Sequence, residues 1–89
     1  MRNLDISRDA LKFLQDLQAK QYRQIGSKMF ALLSDPQLAD CGPIKGYADY
    51  WRVDFGEYRL VYRYDTTTIY LLLIGKRNDD EVYKKLDRM

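Results

Sequence analysis

Apolar residues recur at three- and four-residue spacing through the first third of the chain: Ala10, Phe13, Leu14 and Leu17, then Ile25, Met29, Leu32 and Leu33 after a polar break. This is the stripe of an amphipathic helix that faces a core. Ser7 stands where an N-cap belongs, its hydroxyl able to accept from a free N–H of the first turn, and Ser34-Asp35-Pro36 ends the pattern. A single helix over 7–34 would run to about 42 Å at 1.5 Å per residue, too long for a domain of this size. The pattern therefore predicts a helical hairpin turning near 19–21. Residues 3–6, ahead of it, read as a short first strand.

Residues 37–46, with Gly42, Pro43 and Gly46, read as a loop. Beyond them the period shortens to two. Across 47–55, Trp51, Val53 and Phe55 fall on one face and Tyr50, Arg52 and Asp54 on the other. Phe55-Gly56-Glu57 turns the chain into 58–64, where Tyr58, Leu60, Tyr62 and Tyr64 alternate with Arg59, Val61 and Arg63. Asp65-Thr66-Thr67 turns it again into 68–75, a nearly unbroken apolar run expected of a strand buried on both faces. Asn78-Asp79-Asp80-Glu81 opens a last short helix through Lys84 and Leu86. The sum is an α+β fold: an antiparallel meander backed on one face by an N-terminal helical hairpin, with a short C-terminal helix. Trp51, Tyr58, Leu60 and Tyr62, turned toward the helices, are expected in the core.

Eighty-nine residues suit one domain covering 1–89. The chain is 46% hydrophobic and 31% charged, a globular balance and not a disordered one. Fifteen Lys and Arg against thirteen Asp and Glu leave a net charge of +2, so an anionic partner must be held by local arrangement and not by a global field. With no His and a lone Cys41, the sequence offers neither a zinc site nor an intrachain disulfide. The longest apolar run, 69–74, is strand-sized, far short of the ~18 residues of a membrane span, and the first residues lack the apolar stretch of a signal peptide. The expectation is a cytoplasmic protein with no metal, no cofactor and no membrane partner.

Helices on one face of a sheet leave the other face free, and the alternation puts Arg52, Asp54, Arg59 and Arg63 there. Neighbouring antiparallel strands lie about 4.8 Å apart, so Arg52 and Arg59 point the same way at close quarters. A phosphate between them relieves the repulsion, and guanidinium is the fork that holds phosphate oxygens in pairs. The same alternation suits an ordinary solvated face of ion pairs. Asp54 is the only carboxylate on the hairpin's polar face. It reads either as a partner for an arginine or as a base, for which its ordinary pKa near 3.9 is low.

Taken in order, Ile44-Lys45-Gly46, Tyr50-Trp51-Arg52-Val53, Glu57-Tyr58-Arg59-Leu60-Val61-Tyr62, Ile74-Gly75-Lys76-Arg77 and Glu81-Val82-Tyr83 resemble the RelE/ParE superfamily of bacterial toxin–antitoxin modules, closest to its RelE branch. The match spans the whole domain. It implies a toxin that enters the ribosomal A site and cuts messenger RNA without a metal, stored with a cognate antitoxin and touching operator DNA only through that partner. By the same resemblance Arg52 contacts RNA, Arg59 stabilises charge at the scissile phosphate, Arg77 protonates the leaving group or holds charge there, and Tyr83 orients or stacks on a nucleotide. Asp54 departs from RelE, which has a lysine at the aligned position.

Metal-free cleavage needs attack by the ribose 2′-OH, a base for its proton, positive charge for the phosphorane and a proton for the departing 5′-oxygen. Arg52, Arg59 and Arg77 suit the charge; Asp54 is the available carboxylate. Lys45, Arg63 and Lys76 are candidates for RNA or ribosomal phosphate contacts, in which case affinity falls with salt. Two other readings stay open: a ParE-like toxin that acts on DNA gyrase without being an enzyme, and an inactive homologue that only binds its antitoxin.

Overall fold

A computed structural model describes residues 1–38 and 40–88, the side chain of Asp79 aside. The elements run β1 (Asn3–Ile6), α1 (Arg8–Gln15), α2 (Ala19–Ser34), β2 (Cys41–Pro43), β3 (Trp51–Phe55), β4 (Tyr58–Tyr64), β5 (Thr68–Lys76), a 3-10 turn (Arg77–Asp79) and α3 (Glu81–Arg88). They build the expected α+β architecture around a five-stranded sheet in the order β1-β5-β4-β3-β2. The meander β3-β4-β5 is antiparallel, while β1 joins the far edge parallel to β5, pairing Leu4 with Ile69 and Ile6 with Leu71, so the sheet is mixed. None of the helices among the described residues is long and apolar enough to cross a membrane.

Ser7 caps α1 as its sequence position predicts, accepting from Ala10 N–H at 3.1 Å while its hydroxyl donates to the Leu72 carbonyl. The hairpin turns at 16–18, earlier than 19–21. Asp16 closes α1 by donating its N–H to Phe13 and Leu14 carbonyls, and Gln18 is extended ahead of α2. With no Gly or Pro to mark it, this reversal leaves no local signal in the sequence. The helices press Ala10, Leu14, Ile25, Met29 and Leu32 onto Val53, Leu60, Tyr62, Ile69, Leu71 and Ile74. The buried Tyr62 hydroxyl donates to the Pro36 carbonyl and lies 2.9 Å from Cys41 Sγ, which ties the segment after α2 to the sheet. Burial and the neighbouring thiol push its pKa up.

Two expectations give way in the second half. Residues 41–43, read as loop, form the edge strand β2, with Gly42 opposite Arg52. Residues 47–50, read as strand, instead coil into turns: Tyr47 N–H donates to Ile44, Tyr50 N–H to Tyr47, and Asp49 takes a φ of 67°. The far face of the sheet is not free either. There α3 and the 44–50 turns enclose a second, smaller core of Ile44, Val61, Leu73, Val82 and Leu86, flanked by Tyr47, Tyr50 and Tyr83. Val61 and Leu73, on the face away from the helical hairpin, are fully or nearly fully buried because α3 crosses over them.

Candidate functional site around Asp54

The hairpin register decides which side chains meet. Asp54 pairs with Arg59 across β3 and β4, and Arg59 pairs with Gly75 on β5, so these three residues sit side by side on the α3 face, next to the β3–β4 turn. Gly56, at a φ of 60°, makes that turn tight. Arg59 gives Asp54 both edges of its fork, Nε to Oδ1 at 2.6 Å and Nη2 to Oδ2 at 3.0 Å. Its remaining nitrogen, Nη1, donates to the Tyr83 hydroxyl at 2.8 Å, and the guanidinium carbon lies 5.4 Å from that ring's centre.

Gly75 is what lets α3 deliver Tyr83. A Cβ there would come within 3.1 Å of Glu81 Cβ and of Val82 Cγ1, tighter than an ordinary contact, so glycine lets the first turn of α3 lie close on the sheet without displacing either. The chain reaches that position through a reversal. Arg77 N–H donates to the Glu57 carbonyl in the β3–β4 turn, Asp80 takes a left-handed φ of 51°, and Glu81 turns back to accept from Lys76 N–H at 3.2 Å. The reversal brings Arg77 Nη1 to 3.8 Å from Asp54 Oδ2, with the arginine about half exposed. Arg52 lies on the same face two residues from Asp54, its guanidinium resting over Gly42.

Arg59 thus grips the carboxylate, Arg77 stands within ion-pair range of it, and Arg52 adds its charge from the same face. The hydrogen bonds from Arg59 hold Asp54 below the usual carboxylate range, with the charges of Arg59, Arg52 and Arg77 acting the same way and burial opposing them. The reciprocal bond keeps Arg59 firmly protonated. Side-chain exposure is 17% for Arg59 and 25% for Asp54, so the pair is largely covered. The arrangement supplies positive charge and a phenol beside the edge of α3, and among the described residues no group there is poised as a strong base.

The structure brings together Asp54, Arg59, Arg77 and Tyr83, and sets Arg52 on the same face with its guanidinium turned over Gly42. It does not bring Lys45, Arg63 or Lys76 to them. Arg63 is at the other end of β4, exposed and stacked on Tyr70 with its guanidinium carbon 4.0 Å from the ring centre. Lys45 is exposed beyond that same end, following Pro43, which pairs with Trp51. Lys76 adjoins Arg77, but it pairs with Tyr58, a residue of the helix-hairpin core, and alternation turns it away from Asp54. The sequence placed Gly42 in a loop and Gly75 in a motif without giving either a packing role, although a glycine inside a strand pattern marks close approach.

A protein-family model described as the ParE toxin of the type II toxin–antitoxin system, parDE, matches residues 4–81. No curated protein matches the sequence. Among solved structures, a double arginine-to-alanine mutant of the E. coli toxin RelE in the free state superposes with a TM-score of 0.79 at 25% identity, over 99% of this chain and 97% of that one. The intact E. coli RelBE toxin–antitoxin complex aligns at 0.74 and 25%, over 85% and 96% of the two chains. The RelBE2 toxin–antitoxin complex of Mycobacterium tuberculosis aligns at 0.74 and 25%, over 85% and 98%. The chain belongs to the ParE toxin family of type II toxin–antitoxin systems, within the RelE/ParE superfamily and close in fold to RelE.

Proposed function

We propose that this toxin is a ribosome-dependent messenger-RNA endonuclease of the metal-independent RelE kind. The observation that carries the reading is the convergence of Arg59 and Arg77 on one point, with the Tyr83 hydroxyl on Arg59 and Arg52 on the same face of the hairpin. A phosphodiester seated there meets guanidinium charge from two strands and from the turn after β5. The 2′-OH attacks the adjacent phosphorus and loses its proton to Asp54 or solvent, while the arginines hold the developing phosphorane charge. The P–O5′ bond breaks to leave a cyclic phosphate, Arg77 holds the charge of the departing 5′-oxygen until solvent protonates it, and Tyr83 stacks on or orients a nucleotide. One preorganised donor to such a charge is worth about 2.7–4 kcal/mol, or a factor of 10²–10³ in rate. Asp54, held in its ionised form, is a weak base, so the reading places most of the rate in charge stabilisation and in alignment of the strand by the ribosome.

An antitoxin partner is part of the proposal, since the E. coli and M. tuberculosis neighbours are described as toxin–antitoxin complexes. The expected location is the cytoplasm. Expression without an antitoxin should arrest growth and translation, with new message ends mapping within codons. Arg59→Ala combined with Arg77→Ala should abolish both effects in a folded protein, and arrest unchanged in that double variant would refute the site assignment. A second reading is favoured by the ParE family match and by the neutralisation of Arg59: a non-enzymatic toxin acting on DNA gyrase. In that case arrest occurs with transcripts uncut and with damaged DNA.

A further inference from the structure

We infer that Asp54 is a built-in blocker of the phosphodiester seat, its carboxylate filling the Nε and Nη2 edge of Arg59 that a strand phosphate has to occupy. The inference rests on the nuclease reading and adds a control on when that site opens. A carboxylate and a phosphodiester present the same feature to a guanidinium, two anionic oxygens on one central atom, and both take the fork in pairs. Arg59 has five N–H donors. Those aimed along the Nε and Nη2 edge go to Asp54 and one on Nη1 goes to Tyr83. With 17% of the Arg59 side chain exposed, the fork is not open to an incoming strand while Asp54 holds it.

Asp54 has somewhere to go. Arg77 Nη1 lies 3.8 Å from Oδ2, beyond hydrogen-bond range but within ion-pair range, and Arg52 shares the face. A carboxylate that releases Arg59 thus stays among guanidinium groups. Because it is tethered, its effective concentration at the fork is on the order of millimolar or more, which a free strand at micromolar concentration does not match. A strand clamped in register beside the toxin has a comparable effective concentration and displaces it. Asp54 thereby sets a preference for RNA that arrives already held, over RNA free in solution.

The test is a titration of the full-length toxin with a single-stranded 2′-deoxy trinucleotide, which lacks the attacking hydroxyl and cannot be cut. Binding is followed through the Arg59 Nε–H resonance. Asp54→Asn keeps the shape and one acceptor but removes the charge, and Asp54→Ser removes the reach. Both should bind the trinucleotide at least tenfold more tightly than wild type, and inorganic phosphate, which fits the same fork, should gain as well. Equal or weaker binding in the two variants would overturn the inference, as would a gain that leaves the Arg59 Nε–H resonance unmoved. Without any variant, saturating the wild-type protein should move the Asp54 carboxyl carbon and Arg59 Nε–H resonances together; a saturated complex in which neither moves overturns it too. Message-end mapping is read separately. Tighter binding in the variants with no cleavage by wild type removes the nuclease and leaves the blocker, whereas cleavage by wild type with unchanged variant binding does the reverse.

Discussion

Arg59 and Arg63 lie on one face of the same strand, each beside a tyrosine, and the fold uses them differently. Arg63 stacks on Tyr70, its neighbour across β4 and β5, and remains exposed. Arg59 is drawn under the edge of α3, locked to Asp54 and hydrogen bonded to a tyrosine far along the chain. Four residues of strand put them roughly 13 Å apart, more than a Debye length of about 10 Å at 0.1 M salt, so the exposed arginine adds little to the field at the other. What separates them is therefore the docking of α3 at one end of the sheet and not the residue type. A cluster of charge becomes a site where tertiary packing forces groups together that would otherwise remain solvated.

The comparison breaks most sharply if α3 is released. Leu86 and Val82 hold it against Val61 and Leu73. Leu86→Ala should cost about 2–5 kcal/mol in a denaturant melt, the usual range for a buried leucine. If α3 docking makes the site, a Leu86→Ala protein in which α3 has come loose should show altered Tyr83 ring resonances and no growth arrest, although Leu86 belongs to the second core and not to the arginine cluster. The Arg63–Tyr70 stack should be unaffected.

Gly75 tests the same idea more locally. Gly75→Val forces atoms into the 3.1 Å gap beneath Glu81 and Val82, and overpacking of this kind costs about 1–3 kcal/mol. The first turn of α3 should lift, lengthening the Arg59–Tyr83 contact while the Arg59–Asp54 pair within the hairpin persists. Retention of full toxicity by a folded Gly75→Val protein would show that Tyr83 placement is irrelevant. Smaller still is the direct contrast of the two arginines. Arg59→Ala removes the main partner of a carboxylate three-quarters covered and should cost about 1 kcal/mol, since Arg77 and Arg52 stay near. Arg63→Ala should stay within about 0.5 kcal/mol of wild type.

How much of this was legible follows the same line. The hairpin could be read because a period of two fixes which residues share a face, and the register it implies put Arg52, Asp54 and Arg59 together. Arg77 and Tyr83 reached the list only through the resemblance of their motifs, because no local pattern shows that a helix eight residues long will fold back over the sheet. The same blindness produced the free face that the structure fills. Tyr47 and Tyr50 fell within the run 47–55 read as strand from its alternation, yet they pack on the second core from turns. The parallel pairing of β1 with β5 joins residues more than sixty positions apart, which no window of sequence reports. Lys76 was read in the loop beyond 75, whereas β5 runs on through it and pairs it with Tyr58, which puts it on the face opposite Asp54.

The subtlest difference between the two ends of β4 is in acid. Asp54 has its pKa lowered in the folded protein, chiefly by its hydrogen bonds from Arg59, so the unfolded chain takes up this proton first as pH falls. Its contribution to stability is fully present above the unfolded value near 3.9 and is lost as pH falls through the folded one. Asp54→Asn, which cannot titrate, removes that dependence. The stability gap between wild type and Asp54→Asn should hold constant above about pH 5 and narrow as pH drops below about 4. Asp65, whose pKa is lowered by hydrogen bonds from Thr67, Thr68 and Tyr70, titrates in both proteins and cancels in the difference. Arg63→Ala, with no carboxylate across its strand pair, should leave the whole profile parallel to wild type. A gap that does not narrow in acid would mean that Arg59 and Asp54 are not paired in solution, and the contrast between the two ends of the strand would then lose its physical cause.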